Sequence, residues 1–275
     1  MPTEKLSYNS KAYSLFRPNA PPKVIDIILK YLEENVPKDQ WNIVVDVGCG
    51  NGQGLKQLSR HFKQCYGFDI SEGQIKEAQN ENVLDNVVYD VCPAETLPAI
   101  KDKSVQLLTA FTAAHYFDRP KFFKETDRVL VDNGVVAFVG YYIPVPNDPI
   151  SKDKALPDLM SSIANTPELV KYENPLMTPI KTHYCDLKFP DNYEYCHKDN
   201  IAVTFPAHAQ DLIGYVQTWS FFQAFLEDNK TAAETLLKNF KRDLKKVLKT
   251  DDLNSYEITL TFNYFIALGR KKSEK

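Results

Sequence analysis

The sequence predicts an α/β fold, a doubly wound and mostly parallel sheet with helices on both faces. Three observations predict it. Apolar segments of strand and helix period alternate about five times in the first half of the chain, joined by short loops. One of those strands runs straight into a glycine-rich loop that opens a helix, an arrangement of open α/β sheets. A long alternating segment near the end of the chain has the pattern of a strand with one buried face.

Residues 22–35 place Val24, Ile27, Ile28, Tyr31 and Leu32 at helical spacing, which makes one apolar face. Pro21 and Pro22 suit its first turn, where a missing N–H costs nothing. Residues 43–47 are a short β-branched run followed by glycines, the mark of a buried strand. Leu55, Leu58 and Phe62 continue as a helix, and 64–70 is a second strand. Ser71 with Gln74 three residues later predicts a capping box, opening a helix with Ile75 and Ala78 inside.

Residues 87–91 and 105–111 read as the third and fourth strands. Asp118 caps a helix carrying Phe122, Phe123, Thr126, Val129 and Leu130. Asp132-Asn133-Gly134 ends it with residues that tolerate positive φ. Residues 135–141 are the fifth strand. After Tyr142 the texture changes, with nine prolines between 143 and 210. Helical pieces are predicted at 156–163 and 167–172, an aromatic-faced helix at 210–226 and a longer helix at 231–248. Residues 256–268 alternate as a last strand. The predicted organisation is a single domain over 1–275, with 1–142 and 256–269 as the sheet core and 143–255 as a helical and irregular cap.

Composition narrows the function classes. Of 275 residues, 43% are apolar and 25% charged, which excludes a disordered chain, a fibre or a small disulfide scaffold. Lys plus Arg is 33 against 36 Asp plus Glu, a net charge of −3. Binding nucleic acid by bulk charge calls for a strongly basic surface, so no nucleic-acid partner is expected. Aromatics reach 12%, with 15 Tyr and 16 Phe, more than a minimal sheet needs. No basic-then-apolar leader opens the chain, and no apolar run approaches the ~18 residues of a membrane span. Five cysteines (49, 65, 92, 185 and 196) never fall at C-x-x-C spacing, so reduced thiols in a cytoplasmic protein are expected. His183, His197 and His208, with Cys185 and Cys196, lack metal-ligand spacing, and no metal is expected. The lysine-rich helix around 238–249 reads as a solvated outer face. Oligomeric state, monomer or dimer, is not legible.

The richest segment is Asp46-Val47-Gly48-Cys49-Gly50-Asn51-Gly52-Gln53-Gly54. Glycines allow sharp turning and close ligand approach, and the helix start offers unpaired N–H groups. No Gly-Lys-Ser/Thr follows, and the third position of G-x-G-x-x-G, counted from Gly48, is Gln53. The loop therefore suits a nucleoside without a phosphate better than a pyrophosphate. Asp69 closes the second strand, 23 residues after Asp46, where a carboxylate can accept from both ribose hydroxyls. The loops 92–98 and 112–117 converge on the same edge, where open α/β sheets bind ligands.

These residues carry a resemblance. D-V-G-C-G-N-G at 46–52, F-D-I-S at 68–71, Ala94-Glu95 and A-A-H-Y-F-D at 113–118 resemble class I S-adenosylmethionine-dependent methyltransferases. Tyr13-x-x-x-Arg17-Pro18 and Gly214-Tyr215-x-x-Thr218-Trp219-Ser220 resemble the trans-aconitate methyltransferase and cantharidin-resistance subgroup. The resemblance implies a Rossmann-like sheet of seven strands, the last antiparallel, and S-adenosylmethionine as cofactor with S-adenosylhomocysteine as product. It implies Gly48, Gly50 and Gly52 at the methionine part, Asp46 orienting the loop, Ile70 packing on adenine and Ala94 with Glu95 at the base edge. Tyr13, Arg17, Cys49, Gln74 and Thr112 complete the expected cofactor set.

Methyl transfer from a sulfonium is an in-line displacement with a neutral leaving group. A carboxylate acceptor is already ionised near neutrality, so alignment and water exclusion suffice. A small-molecule carboxylate oxygen is the expected acceptor. A phenol or amine acceptor would call for a base, and His115 is the catalytic candidate; it equally fits substrate orientation or plain packing. Arg17 fits a fork onto a carboxylate of substrate or cofactor. Tyr8 and Tyr13 suit an N-terminal lid. Tyr141 and Tyr142, with Tyr215, Trp219 and Phe222 on one predicted helix face, fit an aromatic substrate pocket. A non-catalytic S-adenosylmethionine-binding protein is the contrasting class.

Overall fold

A computed structural model describes residues 15–273, which divide into two compact units. The sheet unit takes in 19–142, 176–201 and the described residues from 263 onward. The second unit takes in the described residues up to 18, 143–175 and 202–262.

In the sheet unit the alternation predicted from the sequence is present. Helix α1 (Pro22–Glu33) buries Val24, Ile25, Ile28, Leu29, Tyr31 and Leu32, each apolar side chain stabilising by roughly 1.5–3 kcal/mol. Strand β1 (Ile43–Val47) leads through the glycine loop into α2 (Gln53–Leu58). Then come β2 (Gln64–Asp69), α3 (Glu72–Asn80), β3 (Val87–Val91) and β4 (Val105–Phe111). Helix α4 (Arg119–Val129) follows a single turn at Ala114–Tyr116, and β5 (Leu130–Tyr141) completes the run. Its early start reflects a register shift against β4 between Val105 and Leu107, with Asn133 at φ 63°.

The strand order is β3-β2-β1-β4-β5, all parallel, and then the C-terminal part of β8 (Glu257–Lys271) antiparallel to β5. Order reverses between β1 and β4. This switch point, beyond the carboxyl ends of the two strands, is where such sheets bind ligands. Residues 45–47, 105–110 and 136–138 are buried, so the strands that end there are rigid and closely packed.

The second unit holds β6 (Val145–Asn147) paired antiparallel with the start of β8, and helices α5 (Ala155–Ala164) and α6 (Pro167–Val170). Helix α7 (Thr178–Lys181) belongs to the sheet unit. Strand β7 (Tyr193–His208) pairs with β8 and contributes residues to both units. Helices α8 (Asp211–Gln217), α9 (Ser220–Asp228) and α10 (Lys230–Leu248) complete the second unit.

Two expectations are corrected. The sheet has eight strands rather than the seven the resemblance implies, because both β6 and the polar β7 join the six strands read from the sequence. The helix predicted over 210–226 is two helices, broken at Thr218-Trp219. Thr218 Oγ1 donates to the Tyr215 carbonyl at 2.6 Å, and Trp219 adopts an extended backbone as the N-cap of α9. Tyr215 and Trp219 therefore do not share a continuous helix face with Phe222.

Candidate functional site

The glycine loop leaves β1 with Gly48, Gly50 and Gly52 at φ 63°, 55° and 84°, a region that L side chains rarely adopt. The three glycines differ in what surrounds them. A Cβ on Gly48 would lie 2.5 Å from the Ala113 Cβ, and one on Gly52 would lie 2.2 Å from Tyr89 Oη. Those two glycines are demanded by the protein's own packing. A Cβ on Gly50 would meet only Gln74 Oε1, at 3.8 Å. Space is open there, so Gly50 is the position where a ligand can approach the backbone.

Asp69 ends β2 and binds the loop to the next helix. Its Oδ2 accepts from the Gly50 N–H and its Oδ1 from the Ser71 N–H, both at 2.9 Å. Burial nevertheless raises its carboxyl above the usual range, with those backbone N–H groups pulling the other way. Ser71 caps α3 as predicted, its Oγ accepting from the Gln74 N–H at 3.4 Å. The reciprocal arm of the capping box is missing. Asp69 takes the Ser71 N–H that the Gln74 amide would otherwise accept, so Gln74 Oε1 is left buried without a partner.

Asp46 lies on β1 opposite Thr109 of β4. It is 1% exposed, and Thr109 Oγ1 donates to its Oδ1 at 2.7 Å. Its Oδ2 has no partner. Burial pushes the carboxyl up to about 7, Thr109 opposing and Asp69 adding to the rise. Asp46 Oδ2 and Gln74 Oε1 are thus two buried acceptors without donors. Such groups cost about 1–3 kcal/mol each unless something satisfies them. They fit a ligand that brings hydrogen-bond donors, and an ammonium fits the carboxylate best.

Other predicted residues take specific places. Cys49 is buried, and burial raises its thiol well above the usual value; it is a packing residue whose N–H donates to the Phe68 carbonyl at 3.0 Å. Ile70 is 71% exposed, an apolar side chain standing in the open just after Asp69. Ala94 is buried, while Glu95 Oε1 accepts from the Asp118 N–H at 2.8 Å and so ties the loop after β3 to the start of α4. Thr112 holds φ 51° with its N–H on the Val139 carbonyl at 2.7 Å. Residues missed in the sequence include Tyr89 and Thr109, which wedge Gly52 and anchor Asp46.

His115 sits in the turn after β4 and is 6% exposed. Its Nδ1 lies 3.1 Å from Tyr184 Oη, and its Nε2 is buried without a partner. Burial pushes its imidazole down to about 4. Tyr141 packs edge-on against Tyr264, and the Lys181 ammonium lies over the Tyr142 ring at 5.9 Å.

Within the second unit, Arg17 donates from Nε to Thr218 Oγ1 at 2.8 Å and from Nη1 to Tyr215 Oη at 3.1 Å. Its guanidinium also lies over the Tyr215 ring at 4.6 Å. Tyr215, Trp219 and Phe222 are buried, with Trp219 edge-on to Tyr215 and stacked on Phe221. The structure thus brings Asp46, Gly48, Gly50, Asp69 and Gln74 together. It places Arg17, Tyr215, Trp219 and Phe222 in the other unit. Tyr8 and Tyr13 lie outside the described residues. Among the described residues no group of three or more His, Cys, Asp or Glu is placed to hold a metal.

A family described as a methyltransferase domain matches residues 45–138. A Dictyostelium discoideum protein described as a methyltransferase is 29% identical over 270 residues, 98% of this chain and 95% of that protein. CRG1 of Saccharomyces cerevisiae, described as an S-adenosylmethionine-dependent methyltransferase, is 23% identical over 97% of both chains. A solved structure from Anaeromyxobacter dehalogenans, described as a type II methyltransferase, shares the fold with a TM-score of 0.75. It is 24% identical, over 94% of this chain and 100% of that one.

Proposed function

The chain being a class I S-adenosylmethionine-dependent methyltransferase, we propose that its methyl acceptor is a carboxylate oxygen of a small molecule. The cofactor supplies the methyl group on a sulfonium. Its adenosine ribose falls to Asp69, whose two oxygens have lone pairs beyond those given to Gly50 and Ser71. Its methionine end falls to the open face at Gly50 and to the free acceptors Asp46 Oδ2 and Gln74 Oε1.

The observation that carries the acceptor assignment is the burial of His115, which is 6% exposed with its Nδ1 3.1 Å from Tyr184 Oη. With its imidazole pushed down to about 4, it is neutral near pH 7 and a weak base. A phenol or an ammonium must lose a proton to attack, and general-base catalysis works best with a group whose pKa lies near the working pH. A carboxylate has already lost its proton. The chemistry then reduces to holding nucleophile, methyl and sulfur in line and excluding water. The same reading makes the chain a single methyltransferase domain in the cytoplasm, with residues 143–255 a cap for a small acceptor apart from 176–201, which pack with the sheet, with no nucleic acid involved and a monomer or dimer as the working form. No helix among the described residues is long and apolar enough to cross a membrane.

The test is the pH dependence of kcat at saturating cofactor. With an acid acceptor we expect a flat profile between about pH 6 and 8, of the same shape in His115→Gln. A rate that climbs with pH through this range in the wild type, and loses that limb in His115→Gln, would make His115 a base and overturn the carboxylate assignment.

A further inference from the structure

His115 is joined to Tyr184 by a buried contact between its Nδ1 and the phenol oxygen. The two residues are 69 apart in sequence and both belong to the sheet unit. Tyr184 is fully buried, and burial raises its phenol, so the hydroxyl stays protonated. Among the described residues its hydrogen-bond partner is His115 Nδ1 alone. A neutral imidazole carries one proton, on either nitrogen. If Nδ1 carried it, the phenol O–H would lack an acceptor and the Nε2 lone pair would lack a donor. If Nε2 carries it, the phenol donates to Nδ1 and a single group, the Nε2–H, is left over. The second arrangement leaves fewer buried groups unsatisfied, and each such group is costly.

The fold spends backbone strain to keep Tyr184 there. His183 and Tyr184 stand at φ 54° and 59° in succession, a conformation that is strained for L residues. The turn is fastened on its other side. The His183 ring stacks on Phe265 at 4.7 Å, its Nδ1 pairs with Asp199 at 2.9 Å, and its carbonyl accepts from His197 Nε2 at 2.7 Å. Tyr184 itself stands edge-on to Phe265. The remaining Nε2–H is buried at the carboxyl end of β4, two residues beyond the Ala113 that packs on Gly48.

We propose that Tyr184 is a positioning residue that locks His115 in its Nε2–H tautomer, so that this N–H donates to the acceptor carboxylate through the oxygen that does not take the methyl. The identity of the acceptor rests on the function proposed above; the tautomer lock does not. His115 then selects acceptors that carry a hydrogen-bond-accepting oxygen beside the nucleophile, and it takes no proton during transfer.

Nitrogen-15 NMR of histidine-labelled protein, read with acceptor kinetics, tests this. In the wild type we expect the His115 proton on Nε2 and a bare Nδ1. In Tyr184→Phe we expect a tautomer mixture. There the KM for an acid acceptor should rise about tenfold or more, with cofactor Kd unchanged. The wild-type spectrum needs no variant to fold. Two further variants sharpen it: His115→Gln extends an amide N–H to the reach of Nε2 and should bind acceptor better than His115→Asn, whose amide reaches only as far as Nδ1. A wild-type proton on Nδ1, or a Tyr184→Phe protein with unchanged tautomer and unchanged KM, would overturn the proposal. Should no acid be methylated at all, the carboxylate assignment falls while the nitrogen spectrum still decides the lock.

Discussion

At the end of β1 the ligand-facing surface is made of backbone; at the end of β4 it is made of two side chains brought together from distant parts of the chain. Both lie on the carboxyl edge of one parallel sheet. The β1 half is contiguous in sequence: Gly48, Gly50 and Gly52 turn the chain, and Asp69 fastens the loop through the Gly50 N–H. The β4 half depends on Tyr184, which reaches His115 from a strained turn before β7. The first half leaves buried acceptors, Asp46 Oδ2 and Gln74 Oε1, and so asks for donors. The second leaves one imidazole nitrogen, argued above to be a donor, and so asks for an acceptor. On the proposed function, a cofactor with an ammonium and an acceptor with a carboxylate would satisfy the two demands separately.

The largest expected effects break the first half. Gly52→Ala forces a Cβ to 2.2 Å from Tyr89 Oη at positive φ, and we expect a loss of more than about 2 kcal/mol in denaturant unfolding. Gly50→Ala has room and carries only the backbone strain, about 1–2 kcal/mol. Equal losses in the two variants would mean that packing does not distinguish these glycines. Asp69→Ala removes the proposed acceptor of the ribose hydroxyls and strands two backbone N–H groups. Calorimetry should show S-adenosylmethionine binding weakened by about a hundredfold or more, two charge-assisted hydrogen bonds being lost. Unchanged affinity would remove Asp69 from the cofactor site.

Smaller effects sharpen the contrast through pH. Asp46 is raised to about 7 in the folded protein, and a cationic ligand end favours its ionised form. Cofactor affinity should therefore fall as pH drops below about 7, by up to about tenfold per unit. Asp46→Asn should abolish that slope; a wild type with pH-independent affinity would contradict the assignment. His115 shifts the opposite way, burial pushing it down to about 4 from its ordinary 6.5. Between these values the unfolded chain binds more protons than the native one, so the His115 contribution is present above 6.5 and is lost as pH falls toward 4. Asp46 opposes it, because its raised carboxyl is stabilising below 3.8 and loses that contribution as pH rises through 7. Measured against His115→Gln, the wild type should lose about 1 kcal/mol of stability per pH unit on acidification through this window. A pH-independent difference would mean that His115 protonates as readily folded as unfolded.

The contrast also explains what was legible in the sequence. The β1 half follows from local patterns: a β-branched strand, glycines at positive φ, a serine cap at Ser71 and an acid at a strand end. Each is a short-range rule. Tyr184 obeys none, because a tyrosine's partner 69 residues away leaves no mark on the residues around it. Strand β7 was hidden for a related reason. Much of it is solvated, and Glu194, Lys198, Asp199 and Asn200 mask the alternation that exposes a half-buried strand. The break between α8 and α9 was hidden by helical spacing that continues across it. A Thr218 hydroxyl turned back on the Tyr215 carbonyl, and held by Arg17, decides the matter. Gln74 shows the subtler failure: its place near the site was readable, but its capping partner was taken by Asp69, and that competition exists only in three dimensions.

Methyl transfer at this edge is proposed to run to an ionised carboxylate without a base. It is tested most directly by incubating the protein with methyl-labelled S-adenosylmethionine and a panel of small acids, phenols and amines, then treating the products with mild alkali. We expect label in acids only, released as methanol by alkali because the product is an ester. Alkali-stable label in a phenol or an amine would contradict it.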